Sequence, residues 1–145
     1  MEEALSNAVS SATAVMPSIT AFYAALLGLL IVILSFRVVR GRESKNILVG
    51  DGGDQEMMLR IRCHGNLIEN APIAIILIGF VEVQDWTSWV VHLLGAGFFI
   101  ARLLHAHGLG TGTMPTRVAG TVGTWATIAG ASILILYDYA VAYMS

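Results

Sequence analysis

Arg62, Asn66 and Glu69 stand at i, i+4 and i+7, so on a helix they form a single polar stripe. Leu59 before and Ile73 after continue the same face. Arg102 and His105 are three residues apart and share a face of a later segment, as Arg37 and Arg40 do on an earlier one. Arg117 opens the last apolar segment, where the positive end of a helix dipole adds to its charge. Guanidinium groups take carboxylates and phosphates as paired hydrogen bonds, so this set offers recognition of an anion. Glu69 neutralises only one or two of the nearby cations. The surplus positive charge in a partly desolvated place is costly without an anionic partner. Simpler readings stand beside this one. Arg62 and Glu69 make a structural ion pair, Arg37, Arg40 and Arg117 are snorkelling anchors, or lipid headgroup phosphates supply the anion.

These side chains need elements to hold them, and the composition says in what solvent. Of 145 residues, 56% are hydrophobic and only 12% are charged, and the mean hydropathy is +0.73. A soluble domain carries roughly a quarter charged residues. The chain reads as a small integral membrane protein, a single domain over residues 1–145. Four helical spans are expected at roughly 17–40, 56–82, 86–108 and 114–142. The uncharged run 19–36 nearly crosses a ~30 Å hydrocarbon core at ~1.5 Å per residue. The second span is long enough only if it includes the turns carrying Arg62, His64, Asn66 and Glu69. Charged residues at such depth cost roughly 2.5–3.5 kcal/mol each and are functional candidates by default. Pro17 suits the start of the first helix, Gly108 a stop for the third, and residues 41–55, with Gly-Asp-Gly-Gly-Asp at 50–54, a polar loop. Trp86 and Trp89, and Tyr137, Tyr139 and Tyr143, fit interfacial belts. Gly95, Gly97, Gly120, Gly123 and Gly130 permit close helix contact. The fold class is therefore all-α, a four-helix membrane bundle of up-down topology.

All eight Lys and Arg residues fall between the first and second spans or the third and fourth, or at the span ends that flank them. Basic loops stay cytoplasmic, which places both termini outside. Residues 1–17 are mildly acidic with no basic region, so no cleaved signal peptide is expected. The single Cys63 excludes an internal disulfide and a multi-cysteine metal site, and it reads as a packing residue. His105 and His107 are two apart and point different ways on a helix, so no metal is expected. His92 reads as a satisfied polar group. The loop at 50–53 lacks the ending of a phosphate loop. A net charge of −2 argues neither way on nucleic acid, and no such partner is expected.

The stretch RIRCHGNLIENAP, residues 60–72, resembles the MAPEG superfamily of membrane-associated proteins in eicosanoid and glutathione metabolism. The second helix of that family carries Arg, Asn, Glu and Pro at the spacing of Arg62, Asn66, Glu69 and Pro72. His64 and the Arg102-x-x-His105 pattern are similar to its prostaglandin E synthase branch, and Pro115-x-Arg117 to the start of its fourth helix. Arg37 falls where the family has an arginine ending helix 1. The resemblance implies a homotrimer of four-helix bundles, of bacterial type and in the inner membrane. It implies glutathione as co-substrate, held between neighbouring subunits on the cytoplasmic side. Arg37, Arg62, Asn66, Glu69, Arg102 and His105 are then the glutathione-binding residues, and Arg117 is the catalytic residue that activates the thiol. The implied activity is a transferase or peroxidase acting on lipophilic electrophiles or lipid hydroperoxides delivered from the membrane. Two departures stand out. His105 and Leu109 occupy positions where the leukotriene C4 synthase branch has tyrosines, and Gly65 stands where the prostaglandin branch has a further arginine. They bear on eicosanoid substrates more than on the shared glutathione frame. The alternatives are a non-catalytic membrane protein of the same fold that binds an anionic ligand or lipid, and a small transporter. Transport is least favoured, because the polar groups cluster at one end of the spans.

Overall fold

A computed structural model describes residues 16–144, and all but the last two residues of the acidic stretch 1–17 lie outside them. Those residues form four helices: α1 (Ser18–Lys45), α2 (Gln55–Val83), α3 (Ser88–Thr111) and α4 (Met114–Met144). All four are long and apolar enough to cross a bilayer. The expected all-α four-helix membrane architecture is the one observed, with no strand among the described residues. α2 and α3 form the central pair. α1 packs on both from one side and α4 on both from the other, and α1 and α4 do not touch.

A span surrounded by lipid gains little from burying apolar groups, so close packing of small residues has to hold the bundle together. Along the seam Leu27 and Leu34 of α1 meet Leu67, Ala71, Ala74 and Ile78 of α2, with Val91 and Phe98 of α3 fully buried among them. The opposite faces are apolar and open, as with Phe22, Leu29, Val32 and Ile33 on α1, and Trp125, Ile133 and Leu136 on α4. Glycines set the tightest crossing. A methyl group added at Gly120 would stand 2.5 Å from the backbone nitrogen of His105, and one at Gly108 would stand 2.5 Å from that of Arg117. Gly108 is thus not the helix stop its sequence position suggested. α3 runs through it to Thr111 and ends at Gly112, whose φ of 72° is the left-handed cap. Gly108 is small because α4 crosses there.

The helix ends follow from local chemistry. α1 extends past the expected end to Lys45, with Arg42 and Lys45 in its last turn where cations favour the dipole. Asn46, at φ 54°, closes it. α1 has no capping side chain of its own. Instead Glu82, from the last turn of α2, accepts the backbone N–H groups of Ile19 at 2.9 Å and Thr20 at 2.7 Å. Asp54 caps α2 by accepting Met57 N–H at 2.7 Å. Lys45 holds the α1–α2 loop down, 2.7 Å from Asp54 and 3.0 Å from Glu56, while Arg60 takes Glu56 at 2.6 Å. The ammonium beside Asp54 holds its carboxyl below the ordinary value of 3.8. At the far end Trp86 donates to Asp138 at 2.5 Å, tying the α2–α3 turn to α4. There too His92 meets the Tyr23 hydroxyl at 3.1 Å, a partner that the sequence did not name.

Candidate functional site

Three elements meet at the basic end of the bundle: the N-terminal half of α2, the last turns of α3 and the first turns of α4. The polar stripe of α2 faces the junction. Between them lies a cleft of about 680 Å³, within the ~300–1,000 Å³ usual for small-molecule sites. Arg62, Asn66, Glu69, His105 and Arg117 all line it. They converge because α3 and α4 are pinned together at Gly108 and Gly120, which brings the start of α4 against the end of α3.

The charges in the cleft form no ion pair among the described residues. The described residues form three ion pairs, and all three belong to the α1–α2 loop and the start of α2. Arg62, Glu69 and Arg117 are exposed and take part in none. The reading of Arg62 and Glu69 as a buried structural pair is therefore not what the fold contains. His105 is buried at the cleft wall with Nδ1 3.3 Å from the hydroxyl of Thr121. Asp51 of the glycine-rich loop also reaches the cleft, its Oδ1 accepting from Gly53 N–H at 3.0 Å. The positive φ of Gly50, Gly52 and Gly53 folds the loop back over this end. The cleft thus offers two guanidiniums, two carboxylates, a carboxamide and an imidazole. That set suits a small ligand carrying both carboxylate and ammonium groups.

Two of the seven residues singled out from sequence lie elsewhere in the chain. Arg37 lines a separate cavity of about 50 Å³ with Cys63, Arg60 and Gly110, on the other side of α2. Leu59 and Leu109 line both spaces and separate them. Arg102 is 3% exposed and lies behind the cleft wall rather than in it. It donates to Asn66 Oδ1 at 2.5 Å, to Gly120 O at 3.1 Å and to the Thr124 hydroxyl. Sequence reasoning missed Asp51, Thr121 and Thr124. Asp51 looked like turn chemistry, and the two threonines gave no signal beyond their i, i+4 and i, i+7 offset from Arg117.

The model of the MAPEG family matches residues 20–137. The chain belongs to the MAPEG family. Among curated proteins it is 38% identical over 110 residues to the inner membrane protein YecN of Escherichia coli strain K12, covering 76% of this chain and 84% of the relative. The YecN of Escherichia coli O6:H1 matches to the same extent. The matched region reaches into all four helices and takes in every MAPEG position read from the sequence. The MAPEG-like stripe of Arg62, Asn66 and Glu69 faces the cleft, and Pro72 sits just beyond it inside α2. With no N–H of its own, Pro72 leaves the carbonyl of Ile68, the residue just before Glu69, without its usual helical donor.

Proposed function

We propose that this MAPEG member is a glutathione-dependent transferase or peroxidase of the bacterial inner membrane. It acts on lipophilic electrophiles or lipid hydroperoxides that enter from the bilayer. The observation carrying this reading is the gathering of Arg62, Asn66, Glu69, His105 and Arg117 on one cleft with their charges unpaired. Glutathione brings two carboxylates, one ammonium and one thiol. Arg62 takes a carboxylate, Glu69 takes the ammonium, and Asn66 and His105 bond the remaining polar atoms. Arg37 joins from a neighbouring subunit of a homotrimer, which accounts for its distance from the cleft within one chain.

The chemistry turns on the thiol. At its ordinary pKa of ~8.5 only a few per cent is thiolate at neutral pH. Arg117 lies in the first turns of α4, so guanidinium and helix dipole act together to favour the anion. The thiolate then attacks an electrophilic carbon, forming a C–S bond as the leaving group departs with its electron pair. With a hydroperoxide it attacks the distal oxygen. The O–O bond breaks, the alcohol leaves with a proton, and the glutathione sulfenic acid condenses with a second glutathione to give disulfide and water. With the basic loops on the cytoplasmic side, the cleft opens toward the glutathione supply.

The test uses purified protein in detergent or nanodiscs. Wild type is expected to show the ultraviolet absorbance of a thiolate on adding glutathione, and to conjugate a generic aryl halide. Arg117→Ala is expected to lose both while keeping its thermal midpoint. Glutathione binding without turnover on a broad electrophile panel would instead make the chain a non-catalytic binder. Absence of binding would reject the proposal.

A further inference from the structure

Arg102 is buried to 3% exposure, and no acidic side chain pairs with it among the described residues. Its hydrogen bonds go to neutral acceptors: Asn66 Oδ1 at 2.5 Å, the Asn66 carbonyl at 3.5 Å, the Gly120 carbonyl at 3.1 Å and the Thr124 hydroxyl. The Phe98 ring lies 5.7 Å from the guanidinium carbon. A guanidinium has five N–H donors and no acceptor. The Asn66 atom that faces it must therefore be the oxygen, because the opposite flip would set donor against donor inside a low-dielectric bundle. With Oδ1 turned onto the buried guanidinium, the polar atom left for the cleft is Nδ2, whose hydrogens have no partner among the described residues, and Asn66 lines the cleft.

We infer that Arg102 is a positioning residue that turns Asn66 into a donor-only position of the cleft, so that the ligand atom seated there is a carbonyl or carboxylate oxygen. The inference rests on the proposed glutathione reading for its probe, though not for its geometry. Along the α2 stripe Arg62 donates, Asn66 donates and Glu69 accepts, over ~10 Å of helix. A ligand that matches presents oxygen, oxygen and then an N–H group in that order. An N–H or a thiol against Asn66 is excluded, since neither offers a good acceptor. Without Arg102 the carboxamide is free to flip, and the position reads donors and acceptors alike.

Asn66→Asp separates this role from a merely structural one. It is nearly isosteric, keeps an acceptor toward Arg102 and adds a counter-charge, but presents oxygen to the cleft in place of Nδ2. The expected result is a thermal midpoint at or above wild type, with glutathione affinity by calorimetry falling at least about tenfold, the scale of one hydrogen bond to a charged or polar oxygen. Arg102→Met is expected to weaken binding by a similar factor. Arg102→Lys, which keeps a cationic donor on a stem of nearly the same length, is expected to recover part of that loss. Unchanged affinity in Asn66→Asp would overturn the inference. So would a lowered midpoint in the same variant, because that would mean Nδ2 makes an internal bond. If wild type binds no glutathione, the proposed function falls, and the midpoint of Asn66→Asp still decides the orientation of Asn66 by itself.

Discussion

Gly108→Ala adds one carbon at the point where α3 and α4 cross. That carbon would lie 2.5 Å from the Arg117 nitrogen, 2.8 Å from its Cα and 2.8 Å from the Thr116 hydroxyl. Two of these neighbours are backbone, so no side chain can swing away to relieve them. Restoring an ordinary contact of 3.4 Å requires the start of α4 to move outward by roughly 0.9 Å. Overpacking of this kind costs about 1–3 kcal/mol. The larger effect is on chemistry, because the displaced residue is Arg117 itself. A misplacement of ~1 Å in a reacting constellation costs about 100-fold in rate. The assay is steady-state conjugation of an aryl halide by glutathione, with thermal unfolding measured in parallel. Gly97→Ala, on the same helix, serves as control, since its added carbon meets only the Thr127 hydroxyl at an ordinary 3.6 Å. Gly108→Ala should lose activity far beyond its loss of stability, and Gly97→Ala should lose neither. Full activity in Gly108→Ala, or equal losses in the two variants, would refute the claim that this crossing sets the position of Arg117.

Other outcomes follow from the same geometry. Glu82→Ala removes the carboxylate that accepts both Ile19 and Thr20 N–H groups, and is expected to lower stability by about 1–2 kcal/mol, with Glu82→Gln intermediate, by thermal unfolding. Asp54 titrates below its ordinary 3.8 because Lys45 stands beside it, so its stabilising effect is present above that value and lost as pH falls through the lower folded one. Hydrogen exchange of the 46–54 loop should therefore differ between wild type and Asp54→Asn at neutral pH, and the difference should vanish in strong acid. If a site is shared between subunits, Arg37→Ala and Arg62→Ala should each weaken glutathione binding. Random mixing of the two variants should then restore about one quarter of the sites, whereas sites contained in one chain would recover none.

Span number, helix class and the shared face of the polar stripe were legible because each rests on a strong local signal. Residues 19–36 carry no charge, and Arg62, Asn66 and Glu69 keep helical spacing. The MAPEG motif on α2 was legible for the same reason, being contiguous. What the sequence hid was everything set by the meeting of two helices. Gly108 looked like a terminator, since a glycine after a histidine-rich turn reads the same whether it ends a helix or admits a neighbour. Arg102 looked like a ligand-binding arginine, and only the packing of Gly120 and Thr124 against it shows it turned inward. Arg37 and Arg62 looked equivalent, because spacing along a chain says nothing about which side of α2 each one meets.

Two leucines stand between the large cleft and the small chamber that holds Arg37 and the thiol of Cys63. That partition is only as thick as the side chains of Leu59 and Leu109. Trimming either one would open a passage, place a third guanidinium and a cysteine within reach of whatever occupies the cleft, and let a single chain gather groups that it now keeps in two rooms.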